Sequence, residues 1–174
     1  MWKTIALVAA AGIAAVLAYA ATRPDTFRVA RSATVQAPPE KLHALINDLH
    51  AFNTWNPFEK GDPRNRGEYS GPQAGPGATY VFGGGSAGDG TLRILDSTPT
   101  HVRMELHMVK PMEARNVVQF MLQPRGNATD VTWQMEGANP FLGKLIHVFL
   151  DMDRMVGGQF ESGLADLKQR AERT

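Results

Sequence analysis

The chain contains no cysteine among its 174 residues. Disulfides, thiolate nucleophiles and thiolate metal sites are therefore excluded, although this does not identify a compartment. A dominant charge is missing too. Lys and Arg number 18 against 17 Asp and Glu, for a formal net charge of +1. That balance gives no electrostatic footprint for a nucleic-acid partner. No run of Lys or Arg suggests a polybasic membrane patch. Internal repeats and long disordered tracts are also lacking. About 150 residues remain once the apolar N-terminus is set aside, the size of one domain that needs neither disulfide nor metal to fold.

What is present begins with a charge-free run from Ile5 to Ala21. As a helix it spans about 25 Å, and Trp2, Thr4 and Thr22 extend it toward the roughly 30 Å of a bilayer core. Trp2 and Tyr19 stand near its ends, where amphipathic rings favour the interface. Lys3 lies on one side and Arg23, Arg28 and Arg31 beyond the other, so charge does not fix orientation. Residues 1–24 are expected to form a single-pass membrane anchor. The alternative is a cleaved signal segment, with Lys3 as a minimal basic region and Ala18-Tyr19-Ala20 as the small-x-small site. It would leave a secreted or periplasmic protein.

Residues 25–174 read as one domain. Phe27, Val29, Arg31, Ala33 and Val35 alternate with polar and small residues as a first strand. Pro38-Pro39 stops it, and Pro39 with Glu40 suits a helix start. Leu42, Leu45, Ile46 and Leu49 mark that helix's apolar face. A short second helix, ended by Pro57, is expected within 51–58. From Asn65 to Glu136 strands and turns alternate. Val102, Met104, Leu106 and Met108 share one face, as do Asn116, Val118, Phe120 and Leu122, then Val131, Trp133 and Met135. After Asn139-Pro140 comes a short helix over about 141–150. A longer one follows over about 152–173, with Met155, Val156, Phe160, Leu164 and Leu167 at helical spacing. Consecutive strands joined by tight turns imply a curved antiparallel sheet. The long C-terminal helix is the element available to cover it, and such an arrangement tends to leave a cavity.

Few residues form a chemical constellation. Gly83 to Gly88 matches G-x-G-x-x-G, but a dinucleotide site needs a helix after it. A strand follows here, which predicts a flexible hairpin loop at a pocket mouth. The five histidines, His43, His50, His101, His107 and His147, show no metal-ligand spacing, and His101 and His107 fall on the polar side of their strand. No serine sits in G-x-S-x-G. Acid–base chemistry in an apolar cavity remains as an enzymatic reading, with Asn116 in register to point inward and Tyr80 as a phenol of unresolved facing.

Segments along the chain resemble the START/polyketide cyclase (SRPBCC) superfamily. Residues 34–58 (TVQAPPEKLHALINDLHAFNTWNPF) look like its opening, with an Ala-Pro-Pro-Glu helix start and a Trp-x-Pro-aromatic stretch. Tyr69-Ser70-Gly71-Pro72 with Gly75-Pro76-Gly77-Ala78 resembles its next turn, and Trp133 to Gly137 its last strand. Asp151 to Met155 through Phe160 to Leu164 resembles the start of its long helix. The resemblance implies an α+β helix-grip fold of about seven strands and a hydrophobic cavity shared by carriers, cyclases and chaperone activators. It carries over no catalytic motif. The expected function is non-catalytic binding of a hydrophobic small molecule or lipid by a membrane-tethered domain. The expected cavity lining is Trp55, Tyr80, Met104, Asn116, Phe120, Trp133, Met135, Met152 and Phe160, with Met108 in the same apolar set. No catalytic residue, metal or cofactor is expected. The alternatives are a cyclase/dehydratase-like enzyme and a protein-interaction module whose cavity is filled.

Overall fold

The computed structural model describes residues 1–60 and 62–173. Helix α1 (Trp2–Ala21) leads into β1 (Thr26–Val35), followed by α2 (Pro39–Asn47), α3 (Leu49–Asn53) and α4 (Pro57–Lys60). Six strands come next: β2 (Arg66–Ser70), β3 (Thr79–Gly85), β4 (Gly88–Thr98), β5 (His101–Lys110), β6 (Ala114–Arg125) and β7 (Ala128–Ala138). Helices α5 (Phe141–Phe149) and α6 (Met152–Glu172) complete the chain. The seven strands form one curved antiparallel sheet in the order β1-β7-β6-β5-β4-β3-β2. This is the helix-grip architecture expected from the sequence.

Local chemistry explains the breaks. Pro39 occupies the first turn of α2, where its missing N–H costs nothing. Asp48 ends α2 and caps α3, its Oδ1 accepting from the His50 N–H at 2.8 Å. The short helix expected within 51–58 is α3, which ends at Asn53; Pro57, expected to end it, instead starts α4. Asp151 caps α6, accepting from the Arg154 N–H at 3.0 Å. The glycine segment differs from expectation. The strands β3 and β4 run through it, leaving only Ser86 and Ala87 as the turn. Gly84 and Gly88 flank that turn at φ of 81° and 91°, a region that favours glycine.

The register lays the concave face out in cross-strand rows. Val102, Phe120, Trp133 and Arg31 form one. Ile94, Met104, Val118, Met135 and Val29 form the next. Tyr80, Leu92, Leu106, Asn116, Gly137 and Phe27 form a third, and Phe82, Gly90, Met108 and Ala114 a fourth. The helix α6 lies mainly against β1, while α2 packs on β5 and β6. Arg31 fastens α6 by bonding Asp153 at 2.8 Å and Glu161 at 2.7 Å. Gly157 lies between those two acids, and a Cβ there would collide with the guanidinium.

Under α2 to α4 the space is filled by rings. Trp133 stacks on Phe160 at 4.2 Å, and Trp55 meets Phe120 and Trp133 edge-on at 5.9 and 5.7 Å. Gly163 permits this, since a Cβ would meet the Trp133 ring at 2.7 Å. The apolar core contains no α1 side chain, so the fragment 25–174 is predicted to fold alone. It should unfold in one cooperative urea transition, and Phe160→Ala should lower its stability by about 3–5 kcal/mol. An unchanged urea midpoint would contradict this packing.

Candidate ligand-binding site

Burial declines along the concave face. In the first row Val102 and Phe120 are fully buried, and Trp133 nearly so. In the third, Tyr80, Leu92 and Asn116 are buried but Leu106 and Phe27 only half-buried, as are Phe82 and Met108 in the fourth. Val156 of α6 is half-buried against the same core. The end of the sheet capped by α2 and α3 is therefore closed. The opposite end, where α1 joins β1, is less closely covered, and we refer to it as the open end. The half-buried side chains there, Phe27, Phe82, Leu106, Met108 and Val156, are apolar, with the buried Met135 behind them.

The nine residues expected to line a cavity divide along this gradient. Trp55, Met104, Phe120, Trp133 and Phe160 lie in the closed half and pack within the core. Asn116 and Met135 border the open half, and Met152 is half-buried at the start of α6. Tyr80 and Phe82 face inward, whereas Val81 is exposed on the other side of β3. Sequence reasoning did not select Phe27, Phe82, Leu106 or Val156 as lining. Strand alternation put Phe27 and Leu106 on inward faces, but only register reveals how near the open end each sits.

Two polar features enter this surface. The Asn116 carboxamide lies over Gly137, where a Cβ would meet its Oδ1 and then the Phe27 ring at 3.0 Å. Asn116 is 7% exposed, and its Oδ1 has no hydrogen-bond partner. A buried acceptor left unpaired is costly. At the other end of the row the Tyr80 O–H donates to Glu59 Oε2 at 2.8 Å. Burial raises the Glu59 carboxyl above its ordinary value of 4.5, against the opposing bonds from Tyr80 and Asn65. Burial, then the Glu59 carboxylate, pushes the Tyr80 phenol above its usual range. Glu59 carried no signal in the sequence.

Other features lie outside the sheet–helix interior. An open cleft of about 640 Å³ runs between Leu49, Tyr69 and Gln73, where His50 stacks on Tyr69 at 3.7 Å. A second, of about 370 Å³, lies between His43 and Pro99. His101 and His107, expected on a solvated face, are half-buried and bonded to Gln119 at 3.0 Å and Glu113 at 3.4 Å. Among the described residues no group of three His, Asp or Glu is placed to hold a metal ion.

The raised Glu59 carboxyl gives a signed pH dependence. The folded protein keeps a proton there that the unfolded chain has released. That contribution to stability is full below about pH 4.5 and is lost as pH rises through the folded value. Urea midpoints of fragment 25–174 across pH 4 to 8 should therefore fall less in Glu59→Gln than in the parent, by the scale of one titrating group. Parallel profiles would contradict the assignment.

The fold recurs in solved structures of low sequence identity. Protein CV1439 from Chromobacterium violaceum superposes with a TM-score of 0.61 at 18% identity, covering 87% of this chain and 100% of its own. The Aha1 dimer from Colwellia psychrerythraea matches at 0.57 and 17%, covering 84% and 96%. Ara h 8.0201 matches at 0.55 and 12%, covering 82% and 97%. These likenesses concern the fold. A sequence comparison with curated proteins finds no match. The family model described as "Polyketide cyclase / dehydrase and lipid transport" matches residues 26–172, and with the seven-stranded helix-grip sheet around α6 this places the chain in that family.

Proposed function

We propose that this protein is a membrane-tethered binder of a hydrophobic small molecule or lipid, held without catalysis at the open end of its sheet–helix interior. The observation that carries the reading is Asn116. Its unpaired, buried Oδ1 stands beside the half-buried Phe27 and Leu106, with the buried Met135 in the next row. A guest with an apolar body and one O–H or N–H donor would cover that surface and supply the missing bond. Apolar area removed from water would contribute about 25 cal/mol per Å², and the single polar group would set orientation. The family description, which includes lipid transport, agrees with this reading. The charge-free helix α1 supports a bilayer tether by its length and composition.

The cyclase/dehydratase alternative has one observation in its favour. Glu59 combines a raised pKa with a bond from Tyr80, a pairing suited to moving a proton. It predicts turnover of a carbonyl substrate that Glu59→Gln abolishes.

The test of binding is lipid extraction and native mass spectrometry of the full chain, with titration of a fluorescent long-chain alcohol. Bound guest is expected in the parent. Leu106→Trp should fill the open half and weaken uptake at least about tenfold, on the order of 1.4 kcal/mol. Asn116→Val should weaken the alcohol more than its methyl ether. Empty parent protein with no alcohol uptake would overturn the proposal.

A further inference from the structure

We propose that α5 is a membrane-surface helix that seats the open end of the domain on the bilayer. The claim rests on α1 entering that bilayer.

Helix α5 lies beside α1 at the domain surface. Its outward side carries Phe141 at 50% exposed, Leu142 at 56% and Phe149 at 72%. These positions, with Leu145, fall within about a third of a helical turn of one another at 3.6 residues per turn. The opposite side faces the domain. Gly143 and Lys144 are buried there, and His147 meets the Phe27 ring edge-on. Lys144 is the helix's one Lys, Arg, Asp or Glu, and it is turned inward onto Asp25 at 2.5 Å. The outward surface is therefore large, apolar and free of charge. Water is a poor solvent for it, and such patches mark contacts with a membrane or partner.

Geometry next to α1 selects the bilayer. The helix α1 packs against α5, and its covered positions are Val16 and Ala20 near its C-terminal end. From Val16 to Ala21 the helix rises about 8 Å. If α1 spans the hydrocarbon, α5 lies beside its outermost turns, at the roughly 5–10 Å depth of interfacial helices. Only Thr22 to Asp25 separate α1 from β1. The Asn139 N–H bonds the Asp25 carbonyl at 2.7 Å and Asn139 Nδ2 the Pro24 carbonyl at 3.1 Å, which hold that connection to the start of α5. The domain thus has little freedom to swing α5 away.

The register then fixes what else meets the surface. Because β1 starts at this end, the turn between β5 and β6, with exposed Val109 and Met112, lies here too. Met108 and Phe82, the outermost inward-facing residues, lie at this end also. Seating α5 aims the open half of the interior at the lipid phase, so an apolar guest would pass between membrane and protein with little exposure to water. The charges at this end are mixed, and the contact needs no anionic lipid.

The absence of cysteine allows a direct test on the full chain. Single variants Phe149→Cys, Leu142→Cys, Ile13→Cys and Asn127→Cys are labelled with bimane and placed in phosphatidylcholine nanodiscs carrying nitroxide-labelled lipid. Ile13 reports α1, and Asn127 lies at the far end of the sheet. Labels at 149 and 142 should be quenched at least about threefold more than the label at 127, most strongly by nitroxide near the headgroups, as for an interfacial helix. Quenching at 13 without quenching at 149 and 142 would overturn the α5 contact while leaving the tether. No quenching at 13 would overturn both. A label at 149 shielded from both lipid nitroxide and aqueous iodide would assign the patch to contact between copies and likewise overturn the proposal. None of these readouts depends on a bound guest.

Discussion

A seven-stranded sheet with one apolar concave face has a single long helix to cover it, and α6 lies mainly against β1. The rest of the structure answers that shortage. At one end α2 to α4 bring Leu42, Ile46, Phe52 and Trp55 over the strands, and rings from Phe120, Trp133 and Phe160 fill what remains. Toward the other end the cover thins among the described residues, although α4 still reaches the third row through Glu59 and Tyr80. The inward side chains there lean on one another instead, Asn116 across Gly137 and Phe82 across Gly90. The result is a gradient from close packing to half-exposed apolar surface within one continuous face.

The gradient and the chain's N-terminus are connected. Thr26 pairs with Ala138, so the strand entering from α1 and the strand leaving toward α5 meet at the open end. Lys144 to Asp25 and Asn139 to Pro24 tie the two connections together. The tether we propose at that point would orient the interior as well as retain the domain. Closed-half aromatics form the ring-packed part of the core, while inward side chains of the other half stay half-buried. This division matches the general pattern in which sites occupy the less stable end of a fold.

Much of this was legible in the sequence because alternation in β1, β5, β6 and β7 is clean. Phe27, Met104, Phe120, Trp133 and Met135 could be assigned to the inward face from period alone, and tight turns between consecutive strands implied the antiparallel sheet. Position along the face was not legible. Whether Phe120 lies deep and Leu106 near the mouth depends on register, which turn lengths set across the whole meander. The glycine segment misled for a related reason. Gly83 to Gly90 reads as a loop, but in a sheet glycines also let a neighbouring ring lie flat, and Phe82 over Gly90 is such a case. Glu59 was silent because its partner Tyr80 is 21 residues away and no local pattern links them.

The central claim is that the open half of the interior takes an apolar guest while the closed half stays packed. The chain's eight methionines sample both halves. Methyl NMR of methionine-labelled protein titrated with 1-dodecanol tests the claim most directly. The account predicts saturable shifts at Met108 and Met135, with Met104 unmoved. Silence at all three, or a shift at Met104 alone, would contradict it.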